Sequence, residues 1–167
     1  MRLRFGIIGC GRVAPRHAQS LAQLDLTIPA AYADIKPARA EKFASEYGGT
    51  PYADYRALLD RTDIDAVSIC VPSGLHAIVA IDAMQAGKHV LVEKPIAIDL
   101  ADADRMIRTA KEQSVTLAVV LQNRYNHPMQ QLRALIDSGG LGRLYLGNAC
   151  VRWFRPQSYY DDDWHGT

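Results

Sequence analysis

The stretch from Leu3 to Ala14 constrains the fold more than any other. A short apolar run (Leu3, Phe5, Ile7, Ile8) leads into Gly9-Cys10-Gly11-Arg12-Val13-Ala14, and a helical pattern follows at once. A strand, then G-x-G-x-x-A, then a helix is the context in which a glycine turn binds the pyrophosphate of a dinucleotide. Gly9 permits the tight turn, Gly11 lets backbone approach a phosphate, and Ala14 is small enough for the helix to pack on the strand. The first turn of such a helix offers N–H groups and a partial positive charge to an anion. Gly9, Cys10, Gly11, Arg12 and Val13 are therefore candidate cofactor contacts.

Asp34 completes the signature. Ile28 to Ala33 reads as the second strand, and Asp34 stands at its carboxyl end, about twenty residues past the glycine turn. A carboxylate there accepts the hydroxyls of an adenosine ribose and repels a 2′-phosphate, so NAD is expected over NADP. Lys36 works against that preference. The alternative role for Asp34 is to cap the helix beginning at Lys36-Pro37.

Beyond these two landmarks the apolar periodicity alternates between strand and helix. Helices are expected over 12–24, 37–47, 55–59 and 76–86, and from Asp99 as a cap through Ala110. The expected inward positions include Ala40, Phe43, Ala44 and Tyr47 in the second helix. Later helices present Ile78, Ile81 and Met84, and then Leu100, Ala103, Met106, Ile107 and Ala110. Further strands are expected at 50–52, 66–71, 89–92 and 116–121, with the unbroken run Ala66–Val71 marking a buried parallel strand. Six strands alternating with helices specify an α/β fold, a doubly wound parallel (Rossmann) sheet. Its ligand crevice lies beyond the carboxyl ends of the strands. The loops at Gly9–Ala14, Asp34, Pro72–His76, Glu93–Pro95 and Gln122–Arg124 should converge there.

The character changes after Arg124. Pro128 opens a helix (Met129, Leu132, Leu135, Ile136) that stops at Gly139-Gly140, and Leu144 to Phe154 then alternates as a long strand. A lone strand cannot satisfy its own hydrogen bonds, so this one should lack fixed structure or pair with another copy. The chain thus reads as an NAD-binding domain, 1–124, followed by the truncated start of a second α+β substrate and oligomerisation domain, 125–167. Composition narrows the partners. The formal net charge is +1, without a basic run, and no apolar stretch approaches membrane-spanning length, so neither nucleic acid nor membrane is expected. The N-terminus enters its first strand at once and carries no signal-peptide pattern. Cys10, Cys70 and Cys150 have no ligand spacing and read as reduced cytoplasmic thiols, Cys10 as a small filler of the glycine turn.

Glu93-Lys94-Pro95 is the most specific local motif. Together with Gly9-Cys10-Gly11, Pro72-Ser73-Gly74-Leu75-His76 and Gly87-Lys88-His89-Val90-Leu91-Val92, it resembles the glucose-fructose oxidoreductase / inositol dehydrogenase (Gfo/Idh/MocA) family. The segment Trp153-Phe154-Arg155-Pro156-Gln157-Ser158-Tyr159-Tyr160, then Trp164-His165-Gly166-Thr167, resembles its UDP-N-acetylglucosaminuronate 3-dehydrogenase branch. That branch usually has arginine where this chain has His165.

The resemblance implies a sugar or sugar-nucleotide substrate and NAD as hydride acceptor. It places Lys94 beside the nicotinamide and the reacting hydroxyl as the catalytic group, with Glu93 holding the lysine or a ribose. An ammonium beside a cationic nicotinamide has its charged form disfavoured, which suits it to relay a hydroxyl proton. Pro95 would fix the turn, with a cis bond possible there. Pro72, Ser73, Leu75 and His76 are implied near the cofactor, as are Gln122, Asn123 and Arg124. Tyr159, Tyr160 and Trp164 are implied around cofactor and sugar, and His17 is read as structural. The family's Asp/Asn-x-x-x-His helix, source of the general base, would follow Thr167. The expectation is a chain that binds NAD with little or no turnover, homo-oligomeric through its C-terminal strand. The alternatives are a non-catalytic NAD-binding module and a cyclitol or free-sugar dehydrogenase.

Overall fold

A computed structural model describes residues 2–161, which divide after Gln122 into two compact units. In the first unit six parallel strands form one sheet: β1 (Leu3–Ile8), β2 (Thr27–Ala33), β3 (Thr50–Tyr52), β4 (Ala66–Ile69), β5 (His89–Val92) and β6 (Leu117–Val119). Their spatial order is β3-β2-β1-β4-β5-β6, the doubly wound order that reverses between β1 and β4. The helices are α1 (Ala14–Gln23), α2 (Pro37–Tyr47), α3 (Tyr55–Leu59), α4 (His76–Gln85) and α5 (Leu100–Glu112).

Strand alternation divides the core. Ile7 packs with Ala14, Ala18 and Leu21 of α1 and with Tyr32, Ala40 and Phe43. Its neighbour Ile8 points the other way, into a larger cluster with Leu58, Ile69, Ala80, Met84, Val90, Val92 and Met106. Both faces of the central strands are covered, which accounts for the nearly continuous apolar run in β4. Pro29 interrupts β2 where the β1–β2 register shifts, opposite Phe5, and β3 pairs only from Ala31 onward. The missing N–H therefore falls where β3 offers no partner.

Asp54 and Asp99 cap α3 and α5, accepting the N–H groups of Arg56 and Ala101 at 3.0 and 2.6 Å. Two helix faces differ from the sequence reading. In α4 the inward face is Ala77, Val79, Ala80, Ala83 and Met84, leaving Ile78 exposed. In α5 Ala103, Met106 and Ala110 point inward, while Leu100 and Ile107 are exposed. The inward stripe of each helix combines alanines with one long methionine, Met84 or Met106. The larger aliphatics at the margins stay in water.

The second unit contains helix α6 (His127–Asp137), with Pro128 in its first turn and exposed Met129, Leu132, Leu135 and Ile136. Leu144–Phe154 forms no strand, contrary to the alternation in its sequence. Alternating side chains dictate a strand only where a neighbouring backbone completes its hydrogen bonds. Further on, the Arg155 guanidinium lies 4.9 Å from the ring centres of both Trp153 and Tyr159, a cation–π stack. Among the described residues no helix is long and apolar enough to cross a membrane.

Candidate functional site

The site is built at the carboxyl edge of the sheet, where β1 and β4 part. Gly9 leaves β1 with φ +90° and donates its N–H to Ala33 O at 2.8 Å. A side chain there would lie 2.8 Å from the Cys70–Val71 backbone, whereas one at Gly11 would meet nothing within 4 Å. Gly9 is thus demanded by the turn itself, while Gly11 leaves open space beside its backbone. Ala14 is fully buried at the start of α1, and no side chain caps that helix. An uncapped helix start behind an open glycine is the cradle a pyrophosphate requires.

Asp34 ties two loops together. Its Oδ2 accepts the Cys10 N–H at 2.8 Å and its Oδ1 accepts the Lys36 N–H at 2.8 Å. Asp34 is therefore both a strut of the glycine turn and a brace for the start of α2. Each carboxylate oxygen retains a second lone pair. Arg39, which the sequence reading passed over, brings Nη1 to 4.0 Å from Asp34 Oδ2 and is half exposed. Cys10 points inward with Sγ 3.8 Å from Ala33 O. Burial, then the Asp34 charge, push its thiol up to about 12, so it stays protonated as a filler.

Across the switch point, Glu93 and Lys94 follow β5. Lys94 is exposed and its peptide bond to Pro95 is cis. Glu93 is largely buried: Oε1 accepts from His17 Nε2 at 3.0 Å, and Oε2 accepts the Lys94 N–H at 3.1 Å. The other ring nitrogen of His17 contacts Ser68 Oγ at 2.6 Å, and Ser68 Oγ lies 3.9 Å from Cys70 Sγ. His17, read from the sequence as structural, is a packed and hydrogen-bonded side chain of α1. Its position carried a signal, since it falls three residues after Ala14 and four before Leu21 on the inward stripe of α1. A polar side chain there needs a buried partner. Ser68, the polar exception in an apolar strand, is that partner.

His76 is buried at the start of α4, with Nδ1 2.7 Å from Pro95 O and Nε2 3.0 Å from Val71 O. The His76 ring thus lies between the loops after β4 and β5, with a ring nitrogen near a carbonyl oxygen of each. Pro72 and Leu75 are exposed in the loop that follows β4, and Ser73 is half-buried. Gln122 ends the first unit and is exposed; Asn123 and Arg124 belong to the second. Tyr159 and Tyr160 meet edge to face, with ring centres 5.2 Å apart. Trp164 lies outside the described residues. Among the described residues no group of three or more His, Cys, Asp or Glu is gathered to hold a metal.

The strand order, the open glycine cradle and the carboxylate ending β2 define a dinucleotide-binding Rossmann domain. The chain belongs to the Gfo/Idh/MocA oxidoreductase family, whose profile, described as an oxidoreductase family with an NAD-binding Rossmann fold, matches residues 3–121. Among solved structures it resembles the WlbA dehydrogenase from Bordetella pertussis in complex with NADH and UDP-GlcNAcA. The two are 37% identical with a TM-score of 0.91, over 96% of this chain and 50% of the other. A 3-ketoreductase from Actinomadura kijaniata, solved with NADP and TDP-benzene, is 36% identical with a TM-score of 0.78, over 83% of this chain and 43% of the other. The myo-inositol 2-dehydrogenase of Thermotoga maritima is 32% identical over 145 residues, covering 86% of this chain and 43% of that protein. The chain thus spans about half the length of the relatives it matches.

Proposed function

We propose that the chain is the cofactor-binding portion of an NAD-dependent dehydrogenase of sugars or sugar nucleotides, acting at the 3-hydroxyl of a substrate like UDP-N-acetylglucosaminuronate. The observation that carries this reading is the linkage of two motifs at one sheet edge. The helix that leaves the glycine turn reaches, through His17, the Glu93 carboxylate beside Lys94. The resemblance to the Bordetella enzyme supports the substrate class.

In this reading the N–H groups of the glycine turn and the start of α1 hold the pyrophosphate. Asp34 receives the adenosine ribose hydroxyls through its remaining lone pairs. The nicotinamide, when bound, supplies the hydride acceptor. Lys94 orients the substrate hydroxyl and takes part in removing its proton, and Glu93 fixes the backbone at Lys94. Gln122, just after β6 on the same sheet edge, contacts the nicotinamide ribose. Residues 125–167 open a substrate and oligomerisation domain, in a cytoplasmic homo-oligomer. A specific observation favours some tolerance of NADP: the Arg39 guanidinium stands 4.0 Å from the Asp34 carboxylate, a cation beside the group expected to meet the adenosine ribose.

The test mixes the 167-residue chain with NAD and follows NADH formation on adding UDP-N-acetylglucosaminuronate, myo-inositol or glucose. The expected result is saturable NAD binding with little NADH formed. Substantial NADH from the sugar nucleotide would contradict the low turnover, and NADH from inositol alone would replace the substrate class. Failure to bind NAD would remove the reading altogether.

A further inference from the structure

We propose that His17 is a positioning residue for this site, holding the Glu93 carboxylate, and through it the Lys94 backbone, in fixed relation to the glycine-turn helix. The proposal rests on the functional reading above, which sets Glu93 and Lys94 at the nicotinamide end of the cofactor.

The argument is one of donors and acceptors. A carboxylate accepts only, so the 3.0 Å contact between His17 Nε2 and Glu93 Oε1 places a ring proton on Nε2. In the neutral ring Nδ1 is then an acceptor, and the Ser68 hydroxyl donates to it at 2.6 Å. The freed lone pairs of Ser68 Oγ face the Cys70 thiol at 3.9 Å, a protonated donor because burial raises it to about 12. With a neutral ring the run Cys70, Ser68, His17, Glu93 points in one direction and uses each donor once. It ends where the second Glu93 oxygen accepts the Lys94 N–H at 3.1 Å.

The placement of this run supports the role. Ser68 and Cys70 come from the end of β4, His17 from the helix after β1, and Glu93 from the end of β5. One ring thus spans the point where the strand order reverses and couples the phosphate end of the crevice to the turn bearing Lys94. A side chain that merely filled space there would need neither nitrogen. His17 and Glu93 are only 10% and 12% exposed at their side chains, so water does not substitute freely for either partner.

The test measures NADH affinity by fluorescence titration for the wild-type chain, His17→Leu, His17→Gln, Glu93→Ala and the His17→Leu/Glu93→Ala double variant. Nitrogen-15 spectra of the His17 ring accompany it. Loss of a hydrogen bond to a charged group predicts about a tenfold weaker affinity for His17→Leu. Glutamine can donate to Glu93 and accept from Ser68, so His17→Gln should stay within about threefold of wild type. If His17 acts through Glu93, the double variant should bind no worse than Glu93→Ala alone. The ring should carry its proton on Nε2, and that resonance should move in Glu93→Ala.

Losses that multiply in the double variant, equal damage from leucine and glutamine, or a ring without a proton on Nε2 would each overturn the proposal. Should His17→Leu fail to fold, glutamine rescue and the ring spectrum decide it. A wild-type chain that does not bind NADH would overturn the functional reading and the proposal with it. Binding with uncoupled variants would overturn the role of His17 alone.

Discussion

At the scale of single residues, the clearest chemical tension is Tyr32. Its ring is fully buried against Phe43, with centres 5.6 Å apart, and its hydroxyl has no hydrogen-bond partner among the described residues. Tyr32→Phe removes an unpaired buried hydroxyl while keeping the ring, and is expected to stabilise the fold by about 1 kcal/mol in urea unfolding. The thiols provide a second check. Cys10 and Cys70 are buried and Cys150 is exposed, so Ellman's reagent at neutral pH should titrate one thiol quickly and two only on unfolding. Both buried thiols are raised from 9.0 to about 12, chiefly by burial. The folded chain therefore holds more thiol protons than the unfolded chain between those pH values. Their contribution to stability is fully present below pH 9 and lost as pH rises towards 12, so the urea midpoint should fall across that window. Gly9 and Asp34 were legible in the sequence because Gly9 answers a local demand of the turn and Asp34 ends β2 against that turn. The bond from His17 to Glu93 was not legible, because its partners are separated by 76 positions and meet only once the sheet order is known.

At the scale of elements, the turn between β1 and α1 sets the position of everything at the carboxyl edge. Gly9 combines a positive φ with a backbone neighbour 2.8 Å from any added carbon. Gly9→Ala should therefore destabilise the chain by roughly 3 kcal/mol and abolish NADH binding, since strain and overpacking add. A fold of unchanged stability in urea would contradict that account. Element boundaries followed closely from periodicity and caps: α2, α3, β3 and β5 span 37–47, 55–59, 50–52 and 89–92, as read from sequence. The inward faces of α4 and α5 were less legible. Hydropathy favours Ile78, Leu100 and Ile107, but the faces turned to the sheet are Ala77, Val79, Ala80, Ala83 and Met84 in α4 and Ala103, Met106 and Ala110 in α5. The segment 144–154 shows the converse, a strand pattern without a neighbouring ladder.

For the whole molecule, six parallel strands in the order 3-2-1-4-5-6 gather the glycine turn, Asp34 and the Glu93–Pro95 turn at one edge. That convergence was legible because alternating strands and helices leave few topologies, and right-handed crossovers leave fewer still. The absence of a strand over 144–154 was not, since periodicity specifies a segment and not its partners. The account's central claim is that this edge seats NAD, with Asp34 discriminating against a 2′-phosphate. Calorimetric titration of the 167-residue chain with NADH and with NADPH tests it most directly. The account predicts one site per chain, saturable by both, with NADH bound tighter and that preference lost or reversed in Asp34→Ala. Tighter NADPH binding by the wild-type chain, or no heat from either nucleotide, would contradict it.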